Sequence, residues 1–117
     1  MTSKEILSRA ASLIDKNGLA RTMAFDKVTG AYCLGAALVE AATYNKKFHE
    51  KEYTLARNLV CGHMGLSSSY DALVDWNDDS YVTKKGLIIY KHNPADAVHS
   101  LRVASEIVEN PNIKEKK

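Results

Sequence analysis

An acidic stretch around the single tryptophan is the first place where side chains of this sequence could do chemistry. Residues 70–81 read Tyr-Asp-Ala-Leu-Val-Asp-Trp-Asn-Asp-Asp-Ser-Tyr, with four aspartates around Trp76. Asn77 and Asp78 could line a small-ligand pocket, because amide and carboxylate oxygens bind polar groups and hard cations. Alternatively, Trp76 fills the core while Asn77 and Asp78 hydrogen-bond their own backbone in a turn. Under this second interpretation Trp76→Ala costs several kcal/mol of stability.

Asp75, Asn77 and Asp79 occupy alternate positions, as the ligands do in the first half of a calcium-binding EF-hand loop. That loop needs glycine at its sixth position and a bidentate glutamate at its twelfth. Counted from Asp75, those positions hold Ser80 and Gly86, so an EF-hand is excluded. A looser site for a hard cation, built from Asp75, Asp78 and Asp79, stays open as an alternative.

Thiols and imidazoles form the second group of reactive side chains. Cys61 and His63 are close in sequence, but no Cys-x-x-Cys pair accompanies them, and His92 and His99 are too far apart for one helical turn. Cys33 lies in an apolar segment, where a buried thiol is inert. The chain has no Gly-x-Ser-x-Gly elbow and no Walker-type glycine loop. We therefore predict no catalytic residue, no metal site and no cofactor.

Composition limits the class of protein. The 117 residues are 45% hydrophobic and 26% charged with a net charge of +2, which is typical of one soluble globular domain. We expect a single helical domain over residues 1–110 and a charged, frayed tail over 111–117. No apolar run reaches the roughly 20 residues that span a bilayer, and no cleavable leader is visible. A cytoplasmic protein with reduced thiols is the expectation.

Helical periodicity predicts a mainly α fold, a compact bundle of four to five helices. Apolar residues recur at helical spacing in several segments. The predicted helices are 3–17 with Ser3 as cap and Gly18 as stop, 31–44, 50–64, a short helix after Ser69 that includes residues 72–74, and a last helix from Pro94 with Asn93 as cap. We expect Gly35 to let another backbone approach, and Pro111 to end the last helix. Residues 19–30 have no helical period, and we expect a turn from Asp26 to Gly30 with a short extended piece at 23–25.

Residues 80–91 break the helical pattern and predict a β-hairpin. Strand-forming residues flank a turn at Lys84, Lys85 and Gly86. Exposed aromatic and aliphatic side chains beside lysines often mark an interface, and here they are Tyr81, Ile88, Tyr90, Lys84 and Lys85. Alternatively, one face of the hairpin packs on the bundle and the lysines shield its edge. Bases of a nucleic acid could stack on these tyrosines, but the low net charge argues against such a partner.

Four short motifs make the chain similar to a family of small helical proteins from bacteria and bacteriophages. The matching pieces are Ala24-Phe25-Asp26, Cys33 to Leu38, Trp76-Asn77-Asp78 and the helix from Pro94. The resemblance implies a compact helical fold and lends no activity. It also implies a host cytoplasm as the location if the protein is encoded by a phage. The hairpin residues 80–91 depart from the family pattern, in which a short polar turn leads into the last helix.

Two functions follow as hypotheses from different classes. The leading hypothesis is a non-enzymatic module that binds another protein or itself, including as a homodimer, through the hairpin, with phage action on host machinery as one setting. The alternative is a protein that binds a small ligand or metal in a pocket near Asn77 and Asp78. Its candidate residues are Trp76, Asn77, Asp78, Phe25 and Arg21, with Cys33 lining the same pocket.

Overall fold

Five helices and two small hairpins make up the folded chain. A computed structural model describes residues 1–109, with side chains as far as residue 107. The elements are α1 Ser3–Asn17, α2 Leu34–Ala41, β1 Thr43–Tyr44, β2 Lys47–Phe48, α3 Glu50–Met64, α4 Tyr70–Asp78, β3 Ser80–Val82, β4 Ile88–Tyr90 and α5 Pro94–Glu109. This arrangement confirms the mainly α fold with a hairpin inside residues 80–91. The stop at Pro111 and the tail 111–117 lie outside the described residues.

Helix α1 begins with a reciprocal capping box. The hydroxyl of Thr2 accepts a hydrogen bond from the backbone N–H of Glu5 at 3.2 Å, and the Glu5 carboxylate accepts one from the N–H of Thr2 at 3.0 Å. Hydrogen bonding of the carboxylate to the Thr2 backbone N–H, and to a smaller extent to the Thr2 side chain, lowers the pKa of Glu5 because it stabilises the charged form. The prediction that Ser3 caps the helix is wrong by one residue, since Ser3 is already helical and buried.

One hydrophobic core joins the five helices. Helix α1 packs most extensively against α5, and also against α2 and α3. Its buried stripe follows the helical period and consists of Ile6, Leu7, Ala10, Ala11 and Ile14. Small residues on both sides let α1 and α5 approach closely, and the hydroxyls of Ser8 and Ser105 meet at 3.3 Å in this contact. The core therefore lies between α1 and the other helices.

Helix α2 is shorter than the predicted 31–44. It begins at Leu34 because Cys33 is extended and caps it, its sulfur accepting a hydrogen bond from the N–H of Ala36 at 3.3 Å. Just before this cap, Tyr32 pairs as an isolated bridge with both Leu19 and Phe25. Those pairings hold the backbone in an extended conformation, so the helix cannot start earlier.

A small hairpin that the sequence pattern did not predict follows α2. Strands β1 and β2 pair antiparallel around Asn45 and Lys46, whose φ angles are 52° and 60°. Positive φ at both central residues is the conformation of a tight two-residue hairpin turn, and asparagine tolerates it well. This turn replaces the predicted last part of the second helix.

Gly35 allows an aromatic ring to approach α2 closely, whereas we expected another backbone there. A Cβ at this position would lie 2.8 Å from Cε2 of Tyr70. Glycine is therefore required because the aromatic ring at the start of α4 lies directly on α2. The contact positions α4 across the N-terminal half of α2.

The remaining helix boundaries agree with the predictions except at one end. Helix α3 spans the predicted residues, Ser69 caps α4 by accepting from the N–H of Ala72 at 3.0 Å, and Asn93 precedes α5. Helix α4, however, continues to Asp78, so Trp76, Asn77 and Asp78 form its last turn and do not lie in a loop. Within the described part of the chain, no helix is both long and apolar enough to cross a bilayer.

Candidate functional site

Asn77 is a fully buried polar side chain between three segments. It lies one helical turn after Leu73, which places it on the buried face of α4. Its Nδ2 donates to the carbonyl of Ala20 at 2.8 Å, and its Oδ1 accepts from the backbone N–H of Leu34 at 2.9 Å. Asn77 thereby joins α4, the loop after α1 and the first turn of α2.

Asp78 extends this network toward the surface. Its Oδ1 accepts hydrogen bonds from the backbone N–H of Thr22 at 3.0 Å and from Nδ2 of Asn77 at 2.9 Å. Thr22 has a φ of 60°, which is unfavourable for a β-branched residue, and the bond to Asp78 helps to hold it there. The carboxylate is thus occupied by contacts within the protein.

Arg21 ties the hairpin to the helices. Its guanidinium donates to the backbone carbonyls of Asn77 and His92 and lies 4.6 Å from the centroid of the Tyr90 ring. Burial lowers the pKa of Arg21, an effect that Tyr90 and Asp78 oppose, and the group stays charged. The planar fork of arginine suits these two carbonyls and the aromatic face together.

Trp76 stacks on His92, with ring centroids 4.1 Å apart and planes 10° from parallel. The tryptophan is only half-buried and packs at the rim of the core. The expectation that it fills the core is therefore wrong. Next to this stack, Asp79 lies 3.5 Å from the Lys91 ammonium and 3.7 Å from Nε2 of His92.

The structure brings together three of the five predicted ligand residues. Arg21, Asn77 and Asp78 meet directly, and with His92 they form a polar cluster that we call the hub. Trp76 joins the hub only through its stack on His92. Phe25 does not join it: its ring packs on Tyr32 with centroids 4.7 Å apart, and the side chain is 44% exposed.

A shallow cleft opens beside the hub. Its volume is about 210 Å³, and Asp78, Cys33, Tyr70 and Thr22 contribute polar atoms to its lining. Burial, followed by the neighbouring Cys33 thiol, raises the pKa of Tyr70 to about 12. Cavities that bind drug-sized ligands usually measure roughly 300–1,000 Å³. This cleft therefore accommodates only a small molecule.

A larger and more open groove of about 440 Å³ lies on the other side of α4. Leu66 and the Trp76 ring form its apolar part, and Asp75 and Asp79 form its acidic part. The C-terminal turn of α4 carries no basic residue, so the acids and the negative end of the helix dipole reinforce one another. At this end Lys91 pairs with Asp79 and Arg21 binds the Asn77 carbonyl, while Asp75 stays exposed.

The acids of α4 do not converge on a metal site. Asp78 faces Thr22 and Asn77, while Asp79 faces Lys91 and His92. Over residues 1–109, no group of three or more histidine, cysteine, aspartate or glutamate side chains has an arrangement that could hold a metal ion. The two cysteines are free, buried thiols, and burial raises the pKa of Cys61.

The β3–β4 hairpin lies apart from the helices. Its strands pair Ser80 with Tyr90, Tyr81 with Ile89 and Val82 with Ile88, and none of the five helices makes an extensive contact with them across the described residues. Large apolar side chains stay exposed on both faces: Tyr81 52%, Val82 67%, Leu87 59%, Ile88 60% and Ile89 38%. Among the predicted interface residues, only Tyr90 is partly covered, by Arg21.

Sequence reasoning missed the roles of Thr22, Tyr70 and His92. The spacing of Asn77 after Leu73 was a usable signal, because a buried amide requires partners. Nothing local identified those partners, since Ala20 and Leu34 lie 57 and 43 residues from Asn77. The glycine at position 35 indicated a close approach but not the Tyr70 ring.

The fold and hub define a small α-helical protein with a projecting hairpin. The chain belongs to DUF6197, a family of unknown function, whose model matches residues 1–89. The matched range contains Arg21, Asn77 and Asp78 and extends through Ile89, whereas His92 and α5 lie beyond it. No curated protein and no solved structure matches the chain.

Proposed function

We propose that this protein is a non-enzymatic binding module whose contact surface is the β3–β4 hairpin. The observation that carries the proposal is the exposure of Val82, Leu87 and Ile88, each more than half accessible, on a ribbon with two open edges. A two-stranded ribbon is marginally stable without a packing partner. The hairpin gains such a partner when another protein covers it.

The hub supports this role by fixing the base of the hairpin. Arg21 binds the carbonyl of His92 and the face of Tyr90, and Lys91 N–H donates to the carbonyl of Asp79 at 2.8 Å. A contact surface held at its base loses less conformational entropy when it binds. The hub thus supports the hairpin, and the hairpin forms the contact surface.

Lysines at the tip and base of the hairpin fit the same role. Lys84, Lys85 and Lys91 are exposed, and lysines at strand edges oppose indiscriminate edge-to-edge pairing. A partner must therefore supply acidic groups near the tip in addition to apolar surface. This requirement gives the hairpin selectivity.

A photocrosslinking experiment tests the proposal. A photoreactive phenylalanine analogue replaces Ile88 in one sample and Val28, which is 94% exposed in a turn away from the hairpin, in the control. The family resemblance to bacterial and bacteriophage proteins makes the cytoplasm of a bacterial host the setting for the experiment. We expect defined crosslinked proteins from position 88 that are absent at position 28. Equal crosslinking from both positions would overturn the proposal.

The cleft beside the hub supports a second candidate function, the binding of a small molecule. One carboxylate, one thiol and one phenol line it. Ligand that binds the folded state at 100 times its dissociation constant adds about 2.7 kcal/mol of stability. A thermal-shift screen of small polar compounds and divalent cations, repeated on Tyr70→Phe, should show a shift that the variant reduces. Failure of every compound to shift the melt contradicts this candidate.

A further inference from the structure

We propose that the partner of the hairpin is a second copy of this chain, which adds its own β3 antiparallel to β3 and forms a four-stranded sheet across a two-fold axis. The inference rests on the proposed binding role of the hairpin and names the partner. Three observations carry it: the direction of the free backbone groups, the register that they permit, and the distribution of charge along the hairpin.

The hydrogen-bond ladder determines which backbone groups of β3 point outward. Thr83 N–H donates to the carbonyl of Leu87, and Lys91 N–H donates to that of Asp79, both at 2.8 Å. Bonded and non-bonded pairs alternate along an antiparallel ladder, so the backbone groups of Ser80 and Val82 face away from β4. The described part of the chain supplies no hydrogen-bond partner for these outward groups.

One register of β3 against the partner's β3 uses all of these outward backbone groups. When the two-fold axis passes through Tyr81, Ser80 faces the partner's Val82 and Val82 faces the partner's Ser80. Both are hydrogen-bonded pairs, so all outward N–H and carbonyl groups of the two strands are satisfied. A two-fold contact of this kind is isologous and closes as a dimer. The axis also brings Tyr81, 52% exposed, against the partner's Tyr81 as a close non-bonded pair.

Charge favours the same register. Beyond the paired strands, it brings the Lys84–Lys85 turn toward the C-terminal turn of the partner's α4. The helix's own last turn has no basic residue, and although Asp79 already pairs with Lys91, Asp75 is exposed there and can meet the partner's lysines. Cations are stabilised at the C-terminal end of a helix. Each lysine tip therefore meets an attractive surface.

The other edge of the hairpin lacks this complementarity. Pairing of β4 with β4 about Ile89 would set Lys85 opposite the partner's Asn93, at the N-terminal end of α5. That end carries the positive pole of the helix dipole, and Lys91 and His92 lie beside it. Asp96 in the first turn of α5 offsets part of this positive charge, and Arg21 already lies on the Tyr90 ring at this edge. The β3 edge is thus the one suited to self-pairing.

Proline substitutions separate the two edges without breaking the hairpin's own ladder. Val82→Pro removes an N–H from the β3 edge, and Ile88→Pro removes one from the β4 edge. Because short strands give small interfaces, the purified wild type should be a weak dimer, detected by sedimentation from micromolar concentrations upward. We expect Val82→Pro to weaken dimerisation about tenfold or more and Ile88→Pro to leave it intact. The reverse result would overturn pairing through β3.

Charge reversal tests the register with side chains that do not hold the fold. Lys84→Glu combined with Lys85→Glu should abolish the dimer, and so should Asp75→Lys. A mixture of these two variants should restore it as a heterodimer, because the one glutamate tip then meets the lysine-bearing helix end and the one native lysine tip meets the native Asp75. Lys47→Glu combined with Lys51→Glu, at exposed positions away from the hairpin, is the matched control. Failure of the mixture to associate would overturn the proposed register.

Different experimental results would overturn the binding role of the hairpin and its pairing with a second copy. A wild type that stays monomeric at every concentration overturns self-pairing. If position 88 still crosslinks to a different protein, the hairpin remains a binding surface with another partner. If position 88 crosslinks no more than position 28, the binding role itself is overturned. Rising salt should weaken the dimer, since the lysine contacts lie at the solvent-exposed rim.

Discussion

Asn77 and Ile88 belong to neighbouring parts of the chain, yet their environments are opposite. The amide of Asn77 is fully buried, and every one of its polar atoms has a partner, whereas the aliphatic side chain of Ile88 is 60% exposed. Folding of the chain alone therefore satisfies the hub. It leaves the hairpin with apolar surface that the rest of the described chain, residues 1–109, does not cover. Variants should separate these two regions by their effects on stability and on association.

The largest loss of stability should come from the hub. Asn77→Ala leaves the Ala20 carbonyl and the Leu34 N–H without partners, and each buried unsatisfied group costs roughly 1–3 kcal/mol. We expect a loss of about 3 kcal/mol in urea unfolding followed by circular dichroism. Asn58→Ala, at an exposed position of α3, is the control and should change stability little. Similar stabilities for the two variants would remove the distinction between hub and surface.

A smaller loss of stability should follow when Arg21, which ties the hairpin to the helices, is replaced. Arg21→Lys keeps the charge but cannot bind two carbonyls and a ring face at once, so we expect a cost of about 1–2 kcal/mol. Amide exchange at Lys91 and Thr83 should accelerate while α1 is unaffected. Arg9→Lys, exposed on α1, provides the control. Uniform acceleration across the chain would mean that Arg21 supports the whole fold and not the hairpin base.

Two glycines should respond to alanine with opposite signs. Gly62 lies in α3 with no atom near its virtual Cβ, so Gly62→Ala should stabilise the protein by about 0.5–1 kcal/mol through helix propensity. Gly35→Ala should destabilise it by about 1 kcal/mol or more, because the new methyl group meets the Tyr70 ring. Thermal melts measure both variants. A stabilising Gly35→Ala would show that the ring moves aside at little cost.

Substitution on the hairpin should have the smallest effect on the dilute monomer. Ile88→Glu exchanges one exposed side chain for another, so the free energy of unfolding should change by less than about 0.5 kcal/mol. Val28→Glu should behave in the same way. Ile88→Glu should lower association with a different protein that covers the hairpin but should leave pairing through the β3 edge intact, and Val28→Glu should change neither. A large loss of monomer stability in Ile88→Glu would show that the hairpin packs on its own bundle.

At neutral pH Tyr70→Phe should be nearly silent, and its effect should emerge in alkali. The folded state retains the Tyr70 proton up to a pKa of about 12, while the unfolded phenol ionises near 10. The wild type should therefore lose stability relative to Tyr70→Phe as the pH rises from about 10 toward 12, and the two should differ little below pH about 10. Absorbance titration of the phenols should show a reduced late rise in the variant. Burial also raises the pKa of Tyr32 and Tyr53, so part of that rise remains.

Local signals in the sequence were sufficient for most of the fold. Ser69, Asn93 and Pro94 indicated their helix ends because capping acts between near neighbours. The second helix was overestimated at both ends, since its apolar run continues through residues that tertiary pairing and a tight turn hold in other conformations. The Asn45-Lys46 turn lacks the glycine that usually marks a two-residue hairpin.

The candidate site was less accessible to sequence reasoning because its contacts are long-range. The structure brings Arg21, Asn77 and Asp78 together and leaves Phe25 apart, and it adds His92, which the sequence had not placed with them. A pattern shows which side chains are unusual, and only the folded chain shows which of them meet. The exposure of the hairpin could not be predicted either, because a chain in which helices cover Tyr81 and Ile88 could have the same sequence pattern at these positions.

Because Trp76 stacks on His92, the tryptophan fluorescence of the protein is a local signal. The chain has one tryptophan, and its ring lies where α4 passes into the hairpin. Fluorescence intensity and wavelength therefore report on this junction and not on the average of the molecule. Loosening of the junction, or a second chain arriving at the neighbouring groove, should change the emission while the helical dichroism stays constant. The molecule thus carries its own spectroscopic probe of the surface through which we propose that it acts.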